Sequence, residues 1–166
     1  MPLLLLWLAL AAPNLLMPRG EKALVLLFVR ADCPISNRYA PEIQRLHAVY
    51  GARGIEFRLV YPERGLSPAA IEQHRRVYGY TIPGVADGDR FYTIKAQART
   101  TPEAAVFVGG RLVYRGRIDD RYADFGKARP EPTERDLDAV LAAIVKGRTV
   151  LFHQTRAIGC AIENEP

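Results

Sequence analysis

An apolar run that stops at a cysteine constrains the fold of this chain more than any other feature. Residues 23–30 read ALVLLFVR, and Cys33 and Pro34 follow three residues later. An uninterrupted apolar run of this length is typical of a strand buried on both faces. Proline favours the first turn of a helix, because it lacks the amide hydrogen that this position leaves unpaired. The sequence therefore predicts a central strand and a helix, with Cys33 at their junction.

The rest of the chain predicts further alternation of helices and strands. The helix that begins at Pro34 should continue to about Ala52, and Pro41 predicts a kink near Asn37 to Tyr39. The other expected elements, in chain order, are a strand over 55–61, a helix capped by Ser67, a short helix over 90–99, two strands over 103–116 around Gly109 and Gly110, and a last helix capped by Thr133, with Asp136 three residues on, and ended by Gly147.

This order of elements predicts an α/β fold. Two strands joined by a helix should lie parallel, with a right-handed crossover. The hairpin over 103–116 should add antiparallel strands. We therefore expect a mixed central sheet flanked by helices on both faces.

The two ends of the chain differ from its middle. Residues 1–20 form a signal-like apolar leader and linker, too short to span a bilayer, with the small-residue pattern ALA at 9–11. They predict an exported protein, periplasmic or otherwise, that contacts a membrane only if the leader stays uncleaved. A misplaced start codon or a strand lying on the sheet are the alternatives. Residues 21–148 are the expected domain, and 149–166 are a tail that carries Cys160.

Composition argues against two classes of function. The formal charge is +5, but the arginines are scattered and form no basic run, so no nucleic-acid partner is expected. Two cysteines and three histidines are too few for a cysteine-rich zinc site, and no cofactor or metal is expected. Asp119, Asp120 and Asp124 alternate with basic residues, which favours a loop of ion pairs over a metal site. His47 and His74 are expected on helix surfaces.

Cys33 is the strongest candidate for chemistry. The amides at a helix N-terminus favour the thiolate, which is the nucleophilic form of cysteine. Ser36 lies one turn further and could hydrogen-bond that thiolate, but it cannot resolve a mixed disulfide. Cys160 has three interpretations: a resolving cysteine, a static staple that holds the tail, or an independent thiol. A bond to Cys33 would close a loop of more than about 100 residues and contribute on the order of 5 kcal/mol.

Two segments, DCPISNRYAPEIQRL and TPEAAVF…GRLVYRGRIDDRY, resemble bacterial redoxin-domain proteins. These proteins have the thioredoxin fold and are grouped with the alkyl hydroperoxide reductase and thiol-specific antioxidant family. The resemblance covers residues 22–162. It implies a thioredoxin-like fold, frequent export, and a cis-proline at Pro102 that faces the active cysteine. It also implies that Thr101, Pro102 and Pro34 contact the substrate, which can pair as an added strand.

The chain departs from both standard site patterns of this group. Ser36 stands where thioredoxin-type reductases have a second cysteine. Leu26 and Arg30 stand where peroxiredoxins have a proline and a threonine before the peroxidatic cysteine. Thiol–disulfide exchange is therefore favoured slightly over peroxide reduction. Arg121 is the candidate for lowering the pKa of Cys33.

The resemblance leads to two functional hypotheses. The first is a thiol-based oxidoreductase in which Cys33 attacks a protein or small-molecule disulfide, or a peroxide, Cys160 resolves the product, and an external thiol is the reductant. The second is a non-catalytic binding module for a peptide or copper, with a structural Cys33–Cys160 disulfide. A copper site would add His153, as in thioredoxin-like copper chaperones of oxidase assembly, but those have two cysteines close together in one motif.

Overall fold

The computed structural model describes Leu16 and residues 20–162. The predicted leader therefore lies almost wholly outside the described residues. Within the part of the chain that is described, no helix has the length and apolar character needed to cross a membrane.

The described residues form ten strands and five helices. In chain order these are β1 (Ala23–Phe28), α1 (Pro34–Arg38), α2 (Ala40–Gly51), β2 (Ile55–Tyr61), α3 (Pro68–Val77), β3 (Gly84–Ala86), α4 (Phe91–Ala96), β4 (Thr100–Thr101), β5 (Glu103–Val108), β6 (Arg111–Gly116), β7 (Tyr122–Asp124), β8 (Lys127–Ala128), α5 (Asp136–Val145), β9 (His153–Gln154) and β10 (Cys160–Ala161).

The central sheet is mixed, as predicted. Its strand order is β3-β2-β1-β5-β6-β9, and two separate two-stranded sheets join β10 to β4 and β7 to β8. β1 pairs parallel with β2 and antiparallel with β5, so the apolar run is the central strand. The hairpin between β5 and β6 turns at Gly109 and Gly110, which both have positive φ (+57° and +78°). Glycine adopts this conformation without steric cost, which explains the turn.

Alternate residues of β1 enter two separate apolar clusters, which places helices on both faces of the sheet. Val25 and Leu27 belong to the larger cluster, with residues of α2 and α5 that include Ile43 and Leu141. Leu24, Leu26 and Phe28 belong to the smaller cluster, with Tyr92 and Ala96 of α4. Because neighbouring residues of a strand point to opposite faces, burial of both sets requires a continuous apolar sequence.

The predicted kink after Cys33 is present. α1 ends at Arg38 and α2 begins at Ala40, with Tyr39 between them at φ −82° and ψ −6°. Pro41 has no amide hydrogen to donate to Asn37, so the helical ladder is interrupted at this place. α1 is consequently a short first turn that carries the site.

The prediction that Thr133 caps the last helix is wrong. α5 begins at Asp136, and the cap position is Arg135, whose side chain makes no capping hydrogen bond. The amide of Thr133 instead donates to Asp120 (2.6 Å), and its hydroxyl donates to the same carboxylate. Asp120 is buried, and the long-range bonds to its carboxylate outweigh the local capping preference of threonine.

The prediction that His74 lies on the surface is also wrong. Its side chain is buried on α3, and both ring nitrogens have partners. Nδ1 lies 2.8 Å from the Tyr61 hydroxyl, and Nε2 lies 2.9 Å from Oδ1 of Asn37. These bonds compensate the loss of water and connect α3 to α1. Burial lowers the pKa of His74.

Candidate active site

Cys33 and Cys160 form a disulfide, which the sequence left open. Their Cα atoms lie 6.2 Å apart, and their sequence separation is 127. Cys33 occupies the cap position of α1, where its carbonyl accepts a hydrogen bond from the Asn37 amide (3.0 Å). Its side chain is completely buried, whereas Cys160 is only partly buried. The buried sulfur therefore lies below a sulfur that belongs to the tail.

The tail reaches Cys33 as a short strand. Cys160 lies opposite Thr101, and Ala161 lies opposite Thr100, in an antiparallel pairing of β10 with β4. One residue further, the amide of Ile162 donates to the Arg99 carbonyl (2.9 Å). Ile162 is 4% exposed and belongs to the smaller apolar cluster. Backbone pairing and one apolar anchor thus hold the end of the described chain over the site.

A second anchor holds the tail before it reaches the site. Thr155 donates its amide to the Arg115 carbonyl (3.1 Å). Its hydroxyl accepts from the Arg117 amide (3.0 Å) and lies 2.7 Å from the Tyr114 hydroxyl. A Cβ on Gly116 would meet the backbone of Thr155, so glycine is needed for this close approach. The tail is therefore attached to β6 before it crosses to β4.

Thr101 and Pro102 lie beside Cys33, where the resemblance placed them. The peptide bond between them is cis. The Thr101 carbonyl oxygen is 3.2 Å from the Cys33 sulfur, and the side chains of Thr101 and Pro102 are buried. Pro34 is exposed at the start of α1. Contact of a substrate with Thr101, Pro102 and Pro34 stays a prediction.

Ser36 is fully buried one turn after Cys33. Its hydroxyl has no hydrogen-bond partner within the described chain. A buried hydroxyl without a partner is costly. A hydrogen bond from this hydroxyl to a negative charge that forms beside it would offset that cost. A bond to a Cys33 thiolate remains the predicted role of Ser36.

Glu103 is a site residue that the sequence analysis missed. Its carboxylate accepts hydrogen bonds from the amides of Arg99 (2.7 Å) and Thr100 (3.1 Å), and lies 3.5 Å from Arg115. Burial raises the pKa of Glu103, although the two amides and Arg115 act in the opposite direction. The carboxylate fixes the backbone that pairs with the tail. The signal was a single charge in the apolar segment EAAVF.

The acidic loop is held by hydrogen bonds and ion pairs. Asp119 accepts from the Tyr39 hydroxyl (2.6 Å) and from the Arg121 amide (2.9 Å). The guanidinium of Arg121 donates to the Pro130 carbonyl (3.4 Å) and lies 4.0 Å from Glu131. Neither contact is with sulfur, and stabilisation of a Cys33 thiolate by Arg121 stays a prediction.

The candidate metal ligands do not form a metal site among the described residues. Within Leu16 and 20–162, no group of three His, Cys, Asp or Glu side chains has an arrangement that could hold a metal ion. His153 is exposed on β9, and its Nδ1 lies 3.2 Å from the Leu151 carbonyl.

A small apolar cleft opens beside the disulfide. Its volume is about 260 Å³, and its lining residues are Pro34, Ile35, Arg38, Tyr122, Phe125, Gly126 and Cys160. Phe125 is 64% exposed, which is unusual for a large apolar side chain. An incoming molecule in this cleft would meet Cys160 before it met Cys33.

No protein-family model matches the chain, and no curated protein matches it. Solved structures do match. An uncharacterized conserved protein from Geobacillus kaustophilus is 26% identical, with a TM-score of 0.76 over 88% of this chain and 79% of that one. A hypothetical protein from Sinorhizobium meliloti is 25% identical, with a TM-score of 0.74 over 86% of this chain and 80% of that one.

A third match carries a functional description. It is a candidate thiol:disulfide interchange protein, DsbE, from Chlorobium tepidum, 12% identical, with a TM-score of 0.58 over 76% of this chain and 82% of that one. At this identity the likeness concerns the fold alone, and another match is described as thioredoxin-like. The strand order, the cysteine at the start of α1 and these matches together show that the chain has the thioredoxin-like fold.

Proposed function

We propose that this protein is an exported thiol–disulfide oxidoreductase of the redoxin type, with Cys33 as nucleophile and Cys160 as resolving cysteine. One observation carries the proposal: the cysteine at the strand–helix junction is bonded to a cysteine that reaches it on a separate, partly exposed strand. Two sulfurs that must meet and separate in a redox cycle need one partner that can move. The likeness in fold to DsbE supports the same class of reaction.

The reduced protein acts first through Cys33. Its thiolate attacks one sulfur of a substrate disulfide, forms a mixed disulfide with that sulfur, and releases the other as a thiolate. The Cys160 thiolate then attacks the Cys33 sulfur and releases the second substrate thiolate. The substrate gains two electrons, and the protein ends with the Cys33–Cys160 bond. The Ser36 hydroxyl, which has no hydrogen-bond partner among the described residues, can donate a hydrogen bond to the Cys33 thiolate before the attack.

Regeneration begins at the other sulfur. Cys160 lines the cleft, whereas Cys33 is fully buried below it. An external thiolate therefore attacks Cys160, and Cys33 leaves as a thiolate at the start of α1. A second reductant thiolate then attacks the sulfur of the first reductant molecule in this mixed disulfide. A reductant disulfide forms, and Cys160 leaves as a thiolate. Arg121 stays a candidate for lowering the pKa of the leaving thiol.

Peroxide reduction is the second activity that the redoxin resemblance implies. In that reaction Cys33 would become a sulfenic acid, and condensation with Cys160 would release water and form the observed disulfide. Leu26 and Arg30 replace the proline and threonine of the peroxidatic motif. Disulfide exchange is therefore the preferred reaction.

Two features support export. The sequence begins with a signal-like apolar segment, and disulfides persist mainly in oxidising compartments such as the periplasm. Fusion of residues 1–30 to a reporter that is active only outside the cytoplasm tests this part of the proposal. A reporter that stays inactive contradicts it.

The full burial of Cys33 favours one competing interpretation, a structural staple on a binding scaffold. The two interpretations differ in how easily the bond is reduced. A catalytic bridge exchanges with a glutathione buffer, while a staple resists it. Thiol counting in native protein across a series of glutathione ratios separates them.

The decisive experiment compares the two cysteine variants with a model protein disulfide. Cys33→Ser should lower the rate of disulfide reduction by at least about 10³-fold, because it removes the nucleophile. Cys160→Ser should still attack but accumulate a covalent adduct, visible by mass spectrometry, because nothing in the chain resolves it. If Cys33→Ser retains the parent rate, the proposal is wrong.

A further inference from the structure

The tail occupies the place that a substrate strand would take. Cys160 pairs with Thr101 through the backbone, directly before Pro102, and its sulfur is bonded to Cys33. The geometry of this internal bond is that of a mixed disulfide between Cys33 and a cysteine on an added strand. Residues 159–162 therefore show which side chains such a strand can carry.

The position before the cysteine accepts only glycine. A Cβ on Gly159 would meet the carbonyl oxygen of Thr101, would lie 2.7 Å from its carbonyl carbon, and would lie 3.2 Å from Cδ of Pro102. These are backbone and ring atoms, which cannot turn away as a flexible side chain would. Thr101 is fully buried, and Glu103 fixes the amide of Thr100 next to it.

The positions after the cysteine differ from each other. Ala161 is exposed, so the site does not restrict the side chain at this position of the strand. Ile162 is 4% exposed, in the cluster that contains Leu24, Leu26 and Phe107. The strand therefore has the pattern glycine, cysteine, any residue, apolar residue.

We propose that the segment Gly159–Ile162 is an internal copy of the substrate, and that the site accepts extended protein segments with the pattern Gly-Cys-x-apolar. This inference rests on the proposed thiol–disulfide exchange at Cys33 and specifies its substrate. Tail and substrate exclude each other on β4, so the tail leaves before a substrate strand binds. When the tail returns, it displaces the substrate strand as Cys160 breaks the mixed disulfide.

Short peptides test the pattern directly. The protein is the full-length Cys160→Ser variant, and the peptide is Ala-Ile-Gly-Cys-Ala-Ile, blocked at both ends, with its sulfur joined to thionitrobenzoate. The Cys33 thiolate attacks the peptide sulfur, the Cys33–peptide disulfide forms, and coloured thionitrobenzoate leaves with the electron pair. The release rate is measured by absorbance, and mass spectrometry identifies the adduct.

Three altered peptides distinguish recognition from simple reactivity. Alanine in place of the glycine should slow the reaction about tenfold or more, because loss of even one backbone hydrogen bond approaches that factor. Serine in place of the last isoleucine should also slow it about tenfold, through lost apolar burial. Serine in place of the alanine after cysteine is the matched control and should change the rate less than about twofold, since that position is exposed.

Ellman's reagent, which has no strand, separates the two proposals. If it reacts and all four peptides react at one rate, the substrate pattern is wrong and disulfide exchange stands. If neither the reagent nor any peptide reacts with Cys33, both proposals fail. A rate order that follows the pattern supports the inference.

The same contact can be tested within the intact chain. Gly159→Ala should leave two free thiols at a glutathione ratio that fully oxidises the parent protein, because the tail no longer approaches Cys33. Gly88→Ala is the matched control, because a Cβ at this position would meet no atom closer than 3.9 Å. In this variant the Cys33–Cys160 disulfide should form as in the parent protein. Equal oxidation of Gly159→Ala and the parent would overturn the inference.

Discussion

The two halves of the disulfide are held in different ways. Cys33 follows the central strand and belongs to the larger apolar cluster, with no exposed surface. Cys160 lies on a two-residue strand whose neighbours are mostly half-buried or exposed. The first half is part of the folded core, and the second is an addition to it.

Reduction of the disulfide should therefore change only one side of the site. The environment of Cys33 depends on packing that forms whether or not the bond exists. The position of Cys160 depends on the bond itself, one short pairing and one apolar anchor. We therefore expect the reduced protein to keep its core and to release its tail.

The largest expected effect is on global stability. Cys160→Ser, compared with the oxidised parent, should lower the free energy of unfolding by about 5 kcal/mol, because the closed loop is long. Urea titration measures this loss. Under reducing conditions the parent and the variant should coincide, and a persistent difference would show that Cys160 acts through more than the bond.

Two isoleucine substitutions test the division between core and tail. Ile43→Ala, at a fully buried residue of α2, should cost about 2–5 kcal/mol in both redox states. Ile162→Ala should be destabilising in the oxidised protein and nearly neutral after reduction, because a released tail no longer buries that side chain. Equal costs of Ile162→Ala in both states would contradict tail release.

Substitution of Glu103 tests whether β4 is prepared for the tail. Glu103→Ala should cost about 1–3 kcal/mol, because the amides of Arg99 and Thr100 lose their buried acceptor. Glu103→Gln is the control, since one carbonyl oxygen can accept both bonds. Denaturant unfolding measures the cost, and hydrogen exchange at Thr100 locates it. Equal protection in both variants would rule out this role.

The smallest effect concerns acid. Hydrogen bonds from the amide of Glu134 and from Thr133 lower the pKa of Asp120 from 3.8 to about 2. A lowered pKa means that the ionised form stabilises the fold above the unfolded value, and that this contribution disappears as pH falls from about 4 to about 2. Thermal unfolding of the oxidised protein should show this decline, and Asp120→Asn should flatten it. An unchanged slope in Asp120→Asn would contradict the assignment.

The sequence predicted the core half of the site far better than the tail half. The central strand, the kinked helix and the hairpin are recorded in local patterns: an apolar run, two prolines and a glycine pair. The bond to Cys160 spans 127 residues and has no local signature. The order of elements predicted the mixed α/β sheet, and the resemblance of two segments to redoxin-domain proteins implied the thioredoxin-like fold.

The errors arose where distant residues compete with local preference. Thr133 has the chemistry of a helix cap, but the buried carboxylate of Asp120 accepts hydrogen bonds from its hydroxyl and its amide. His74 is polar, but Tyr61 and Asn37 satisfy both of its nitrogens inside the protein. Gly159 has no side chain to suggest a role, and only its approach to Thr101 reveals one.

The anchor at Thr155 has a consequence for the rate at which the bond re-forms. Cys160 lies five positions after Thr155, so the Cys160 end of a released tail can extend only about 17 Å from its attachment on β6. A thiol on so short a tether experiences its target at an effective concentration of the order of millimolar. The chain therefore carries its own local supply of resolving thiol, and ring closure at Cys33 does not depend on how dilute the protein is.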